Sequence, residues 1–247
     1  MRFSFKLVPF ALATVLFVSC EKSDDPKVPG YLLAKVTTDT YVTEYTYDGE
    51  KAIGTSSSSG GTMVTGTFTY DGNENIAGIT YSDNAREIFT YSNGNITSRK
   101  KSDATDKLLS QWDYEYSNNQ LTKVQFYDVA DGIPYSAGFR VYEYDDTSDD
   151  PARVKEYTKH TPTTPSATYV YTYGEAKDAF EAASTSLKKY LRLLSASTKK
   201  NVVKITDGSK TWDYTYEFNE QSYPIKRVES ASTGNTYSTT YEYVVIK

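Results

Sequence analysis

The stretch Trp112-Asp113-Tyr114-Glu115-Tyr116 places an aromatic ring on every second residue, with an acidic side chain in each gap. A period of two is typical of a β-strand, in which successive side chains point to opposite faces of the sheet. The pattern recurs in seven other copies, some of them looser. We call the last tyrosine of each copy its anchor, and the eight anchors are Tyr47, Tyr70, Tyr91, Tyr116, Tyr144, Tyr173, Tyr216 and Tyr243.

A second aromatic residue stands two positions before every anchor, and we call it the leading ring. The leading rings are Tyr45, Phe68, Phe89, Tyr114, Tyr142, Tyr171, Tyr214 and Tyr241. The residue between leading ring and anchor is always Thr or Glu. The copies therefore predict eight strands with rings on one face and Thr or Glu on the other.

Turn sequences follow the anchors, for example Asp48-Gly49, Asp71-Gly72 and Asn93-Gly94. Such pairs tolerate a positive φ and favour tight hairpins. A second strand with fewer apolar residues follows most of these turns, so each unit is predicted to be a two-stranded hairpin. Seven or eight such hairpins give roughly 14 to 16 strands in total. We expect a mainly all-β fold, a long antiparallel hairpin meander that strand twist curls into an open sheet or partial barrel, with the rings on its concave, packed face.

The longest interval between anchors, from Tyr173 to Tyr216, contains the predicted helix, at about residues 175–195. Its apolar residues recur at helical spacing, so the helix is amphipathic and must bury one stripe. The stripe comprises Phe180, Ala183, Leu187, Tyr190, Leu191 and Leu194. Ile88, Val141 and Val170 form an apolar patch on the Thr/Glu face of the predicted sheet. We expect the helix to pack on that patch.

The N-terminus has the layout of a secretory signal over residues 1–19. Arg2 and Lys6 precede an apolar run that is shorter than the ~20 residues of a membrane-spanning helix. The sequence Phe17-Val18-Ser19-Cys20 resembles a bacterial lipobox, so we expect Cys20 to carry a lipid that anchors the mature protein to the membrane. Residues 20–30 are polar, charged and proline-bearing and predict an extended tether. Residues 31–247 then form a single domain.

The copies Tyr45-Thr46-Tyr47-Asp48-Gly49 and Phe68–Ile76 resemble the YD repeat of Rhs-type proteins. With the lipobox, the chain is similar to YD-repeat lipoproteins of Bacteroidota, a family catalogued as a domain of unknown function. Five copies depart from the pattern, because the aspartate after the anchor is replaced by Ser92, Ser117, Gly174, Glu217 and Val244. The resemblance implies a β-meander and a cell-envelope location, and it brings no catalytic residues.

Acidic residues just after Cys20 resemble the surface-export signal of Bacteroidota lipoproteins. We therefore expect a lipid-anchored outer-membrane protein exposed at the cell surface, the alternative being the periplasmic face of that membrane.

The net charge of −5 argues against nucleic acid as a partner, because nucleic-acid binding needs a basic surface. The single histidine, His160, lies in a Pro/Thr-rich loop without a nucleophile motif nearby, so we expect no enzyme and no cofactor.

Trp112 and Trp212 occupy the same slot in their copies, next to Tyr114 and Tyr214. These four residues are candidates for stacking on a sugar, and the alternative is that they form the core of the sheet. We expect a non-enzymatic lipoprotein whose sheet is a binding or scaffold module for an envelope protein or polysaccharide. The alternative function is a glycan-binding accessory lipoprotein that uses these rings.

An acidic segment follows the fifth anchor. Carboxylate oxygens are the ligands that calcium takes, which makes Asp145, Asp146, Asp149 and Asp150 candidate ligands. The segment lacks the spacing and the glycine of an EF-hand, and the alternative is a solvated turn. No other metal site is expected.

Overall fold

The computed structural model describes residues 30–145, 148–195 and 199–246. In this part of the chain, 16 antiparallel strands each pair with their neighbours in sequence, and the last strand pairs with the first. The prediction of a curled antiparallel meander is confirmed, and the curl is complete, since the sheet closes into a barrel. The predicted signal, Cys20 and nearly all of the tether lie outside the described residues.

The odd-numbered strands are β1 Gly30–Thr38, β3 Lys51–Ser59, β5 Ile76–Tyr81, β7 Asn95–Ser102, β9 Gln120–Ala130, β11 Pro151–Thr158, β13 Lys200–Thr206 and β15 Pro224–Ala231. The even-numbered strands are β2 Tyr41–Asp48, β4 Thr62–Tyr70, β6 Arg86–Ser92, β8 Leu108–Ser117, β10 Ile133–Tyr144, β12 Ala167–Lys177, β14 Thr211–Phe218 and β16 Thr236–Ile246. Between β12 and β13 lie a 3-10 turn, Ala179–Ala182, and the helix α1, Thr185–Ser195.

The eight sequence copies lie on the eight even-numbered strands, with their rings inside the barrel. Tyr114 is buried and Tyr116 packs beside it in the same core, so both rings of one copy share a face as predicted. The intervening Thr and Glu residues face outward, and all but the half-buried Glu143 are exposed. Tyrosine suits this interior because its long ring reaches far into a wide lumen and its hydroxyl can still find a partner.

A β-bulge recurs at one end of the barrel, which we call the turn end because the tight turns after the anchors lie there. The pairing register shifts by one residue next to seven of the anchors, Tyr47, Tyr70, Tyr91, Tyr116, Tyr144, Tyr173 and Tyr243. In the pair of β14 and β15 the shift comes two residues after the anchor Tyr216, before Phe218. A bulge leaves one residue out of the ladder and increases the local twist, so each hairpin is bent near its turn.

The anchor hydroxyls tie each hairpin to the one before it. Tyr91 donates to the Ile76 carbonyl at 2.8 Å, and Ile76 is the bulge-flanking residue that pairs with the preceding anchor. Six other anchors donate to the carbonyl of a residue beside a bulge, namely Leu33, Ala52, Leu121, Pro151, Val202 or Pro224. Pro224 differs from the rest in that it pairs with Phe218 rather than with the preceding anchor. Burial raises the pKa of the anchor Tyr144 to about 12, so its phenol keeps the proton that it donates.

Residues 179–195, which we call the plug, fill the lumen at the turn end. Leu187 is fully buried, and Tyr190 meets the rings of Phe68 and Phe89 edge-on at centroid distances of 6.2 and 5.5 Å. Ser186 donates its hydroxyl to the Glu74 carbonyl at 2.5 Å. The plug is thus held both by the leading rings and by a turn at the rim.

The expectation that the helix covers the Thr/Glu face is wrong. Ile88 is 56% exposed and Val170 39% exposed on the outer surface, whereas Leu187, Tyr190 and Leu191 of the stripe pack against the rings inside. The helix is also shorter than predicted, because β12 continues to Lys177 and α1 begins at Thr185. The physical reason is the width of the barrel. A barrel of 16–18 strands has a lumen that its own side chains leave open, so the helix buries its apolar stripe there rather than on the outer wall.

The outer wall carries cross-strand pairs of opposite charge. Lys123 contacts Glu115 at 2.9 Å, and Lys226 contacts Glu217 at 3.0 Å. Exposed pairs of this kind add little stability, at roughly 0–1 kcal/mol each. The outer surface thus carries charged side chains beside exposed apolar ones such as Ile88 and Val170.

The anchor bonds predict a specific cost for one lost hydroxyl. Replacing Tyr91 by Phe leaves the fully buried Ile76 carbonyl without its donor, and we expect the free energy of unfolding to fall by about 1–3 kcal/mol. Urea unfolding measures this difference. Tyr237→Phe is the control, since Tyr237 is 49% exposed and its loss should cost much less. Equal effects of the two changes would contradict the role of the bond.

The position of the plug predicts a large loss of stability at one apolar site inside the barrel and almost none at another outside it. Leu187→Ala should lower the free energy of unfolding by about 2–5 kcal/mol, because it leaves a cavity in the core. Ile88→Ala should change it by less than about 0.5 kcal/mol, because Ile88 is 56% exposed on the outer surface and makes few core contacts. Chemical denaturation of both variants tests this, and a larger loss at Ile88 would place the helix outside.

Candidate functional site

A cavity of about 300 Å³ lies in the barrel wall between β10 and β15, on the lumen side. Its lining combines rings, two apolar residues and three charged groups: Arg140, Tyr142, Val154, Glu156, Tyr169, Tyr171, Ile205, Trp212, Tyr214 and Glu229. Six neighbouring strands supply these residues through direct register, as in Tyr142 opposite Val154 and Ile205 opposite Trp212. We call this the lumen cavity.

The aromatic wall of the lumen cavity is made by residues of β12 and β14. The Trp212 and Tyr169 rings lie 6.4 Å apart between centroids, at an angle of 50°. Tyr214 stands next to Trp212 on the same strand face and is half-buried. Burial also raises the pKa of Tyr171 to about 12, so its phenol is protonated and can donate.

The polar wall is made by Arg140, Glu156 and Glu229. Arg140 donates from Nε to Glu156 at 2.6 Å, and its guanidinium also lies 5.3 Å from the Phe126 ring. The two partners keep 42% and 29% of their side-chain surface exposed. Glu229 pairs in register with Tyr214 across β14 and β15. The cavity therefore presents donors and acceptors beside ring faces.

The structure separates the two tryptophans that the sequence groups together. Trp212 and Tyr214 line the lumen cavity, whereas Trp112 lies 4.4 Å from the Arg99 guanidinium, measured to the ring centroid. Arg99 binds the 2% exposed Glu87 through two nitrogens, at 2.8 and 2.9 Å. Tyr114 is a buried core residue. One of the two predicted stacking pairs thus reaches a cavity and the other is built into the interior.

Sequence reasoning missed Arg140, Glu156 and Glu229. A usable signal was present for Arg140, because it stands two residues before a leading ring, in the slot that Trp112 and Trp212 occupy in their copies. The period of two turns this slot inward, so a charged residue there must find a partner or a ligand. Glu156 and Glu229 lie on odd-numbered strands, where the copies leave no motif by which to assign a face.

The candidate calcium ligands are used in other ways. Asp149 contacts Lys199 Nζ at 2.6 Å, and Asp150 accepts the backbone N–H groups of Lys199 and Lys200. Asp145 is exposed, and Asp146 lies outside the described residues. Within residues 30–145, 148–195 and 199–246, no three His, Cys, Asp or Glu side chains gather as a metal site would need.

A second cavity, of about 320 Å³, lies at the turn end beside the plug. Its charged groups already bind one another or the wall: Lys189 donates to Asn75 at 3.0 Å, and Arg192 pairs with Glu181. Residues 146–147 and 196–198, which adjoin its rim in sequence, are not among those described. The lumen cavity is the better candidate for a ligand site, because described strand residues line all of it and rings form one of its walls.

Comparison with known proteins supports the fold alone. No family model and no curated protein matches the chain. Among solved structures, a porin-like protein from Bacteroides uniformis shares 14% identity over 87% of this chain and 95% of that one, with a TM-score of 0.55. The chain is thus similar in fold to that protein, as a closed antiparallel barrel.

Two toxin structures give weaker matches. The Photorhabdus luminescens Tc holotoxin pore shares 12% identity over 83% of this chain, with a TM-score of 0.28. A TcdB2-TccC3 structure shares 14% identity over 84% of this chain, with a TM-score of 0.26. Each match covers 12% of the toxin chain, and neither bears on the function of this protein. Among the described residues, no helix has the length and apolar character that a bilayer crossing requires.

A half-buried carboxyl, that of Asp178, lies where the chain leaves β12 and enters the lumen. Asp178 accepts the Phe180 backbone N–H at 2.9 Å and so caps the 3-10 turn that begins the plug. Burial raises the pKa of Asp178 to about 7, although the Phe180 amide and the nearby Arg227 favour its charged form. The negative charges of Glu181 and Asp150 also raise the pKa of Asp178.

This carboxyl predicts a pH dependence of stability with a definite sign. An unfolded aspartate has a pKa of about 3.9, so between pH 4 and 7 the folded chain holds a proton that the unfolded chain has lost. Stability should therefore fall as pH rises through that window, by up to about 4 kcal/mol, and level off above pH 7.

Unfolding by urea at pH 5 and at pH 8 measures this difference. Asp178→Asn keeps the capping oxygen and cannot ionise, so its loss of stability between the two pH values should be smaller than that of the wild type. Asp48→Asn, a change at an exposed turn residue, serves as the control. Parallel wild-type and Asp178→Asn profiles would show that Asp178 does not titrate in this range.

Proposed function

We propose that this protein is a non-enzymatic lipoprotein of the outer membrane, held there by a lipid on Cys20, with the barrel as a rigid binding module. The observation that carries the proposal is the distribution of side chains between the two faces of the barrel. Rings and the plug pack together on the inside, while charge pairs such as Lys123–Glu115 lie on the outside. A barrel that lies in lipid has the reverse arrangement, with an apolar band outward and a polar lumen.

The lipobox resemblance supplies the means of attachment that such a water-facing barrel needs. In this proposal the barrel stands off the bilayer on the tether, and the YD-repeat lipoproteins of Bacteroidota are its relatives. A filled lumen argues for binding rather than conduction, because the plug occupies the turn end and its contacts with Phe68 and Phe89 are those of a core. An envelope protein or a polysaccharide is the proposed partner.

The alternative is a glycan-binding accessory lipoprotein. One observation favours it, namely that Trp212 and Tyr214 line a cavity together with charged side chains. The two functions share the anchor and the location and differ in the ligand.

The lipid anchor predicts how a Cys20→Ser variant distributes. Wild-type protein should sediment with the membranes, and Cys20→Ser should move to the soluble fraction, because a serine offers no thiol for acylation. Fractionation and immunoblotting of cells that express either form measure this. Ser19→Ala, a change at the neighbouring small residue, is the matched control and should stay with the membranes. Identical distribution of wild type and Cys20→Ser would show that the anchor is wrong.

Protease treatment of intact cells then separates the two faces of the outer membrane. A surface-exposed tether is cut in intact cells, whereas a tether on the periplasmic face is cut only after the outer membrane is opened. Degradation only in opened cells would leave the anchor in place and reject surface exposure.

A further inference from the structure

We infer that the lumen cavity binds one uncharged sugar residue, an inference that rests on the proposed role of the barrel as a binding module. Three properties of the cavity lead to this ligand class. They are the balance of charge around it, the shape of its aromatic wall, and its volume.

The charge balance excludes ligands with a strong charge. Glu156 and Glu229 disfavour an anion, and Arg140 disfavours a cation. The lining holds two carboxylates and one guanidinium, and a second guanidinium, that of Arg227, lies 5.4 Å from the centroid of the Tyr214 ring. Together these four groups have no net charge. A neutral ligand with many hydroxyls fits, because each hydroxyl can both donate and accept.

The aromatic wall can contact the apolar C–H face of a sugar. Trp212 and Tyr169 present ring faces at an angle of 50°, which suits a rigid ligand that is apolar on its C–H face and polar at its edge. The cavity volume of about 300 Å³ is at the lower limit of the roughly 300–1,000 Å³ found for ligand pockets. One sugar ring, either free or at the end of a chain, is therefore the expected occupant.

Single-tryptophan variants make the test specific, since the chain has two tryptophans. The full lipoprotein with Trp112→Phe, purified in detergent, keeps Trp212 as its sole indole. It is titrated with glucose, galactose, mannose and N-acetylglucosamine, with choline as a cationic probe and glucuronate as an anionic one. We expect a saturable change of Trp212 emission with at least one of the uncharged sugars, and binding about tenfold weaker or worse for both charged probes.

Matched alanine variants identify the binding wall. Trp212→Ala should abolish the calorimetric signal for the sugar that binds, while Trp112→Ala, the same change in the same slot of another copy, should retain it. Glu229→Gln in the Trp112→Phe background removes one acceptor charge without removing a ring, and it should weaken binding about tenfold. This variant keeps the test informative if Trp212→Ala does not fold, which circular dichroism would reveal.

Each contrary result has a separate meaning. If none of the four sugars changes Trp212 emission although acrylamide quenches it, the cavity is accessible and the sugar inference is overturned, while the proposed binding module stands. If choline or glucuronate binds more tightly than every uncharged sugar, the ligand class is wrong. If acrylamide cannot quench Trp212, the cavity is closed to solutes. In that case the sugar inference fails, and so does the proposal that the barrel binds a ligand through this cavity.

Discussion

A closed sheet of 16 strands encloses more space than its own side chains ordinarily fill, and this constraint governs the interior of the protein. The chain meets it in two ways. Every even-numbered strand turns two aromatic rings inward, which reach farther than Leu or Ile would, and the segment between β12 and β13 enters the lumen as the plug. Tyr190 shows how the two combine, because its ring packs between Phe68 and Phe89 of the wall. The rings and the plug thus form one core.

The anchor hydroxyls explain why these positions are tyrosines and not phenylalanines. A bulge takes one residue out of the ladder, and a flanking carbonyl then needs another donor, because a buried carbonyl without one is costly. Tyr47 meets this need across the closing joint, since it donates to Leu33, which itself pairs with Tyr243 of the last strand. The same kind of contact therefore stabilises the hairpins and the closure of the barrel. The repeat at the level of sequence is a repeat of this bond.

Sequence reasoning predicts the strands well and the plug poorly, for physical reasons. The period of two fixes which residues share a face, so the pairing of Tyr114 with Tyr116 in the interior follows directly. The same period cannot tell whether the sheet closes, because closure depends on strand number and tilt rather than on side chains. Without closure, the apolar stripe around Leu187 has two possible faces to cover, and the exposed patch at Ile88 and Val170 indicated the wrong one.

Two ion pairs inside the barrel differ in how much of their surface is exposed. One is buried in the core, and the other lies beside a cavity. Glu87 is 2% exposed and is bound by Arg99 through two nitrogens and by the Tyr81 hydroxyl at 3.0 Å, so both of its oxygens have partners inside the protein. A buried pair of this kind is costly to break and holds the wall together. Glu156 pairs with Arg140 yet keeps 29% of its side-chain surface exposed, beside a cavity with an aromatic wall. Carboxylate oxygens offer several acceptor sites, so this second pair can still accept from a ligand. The same chemical pair therefore completes the core at one point of the barrel and leaves acceptor sites open beside a cavity at another.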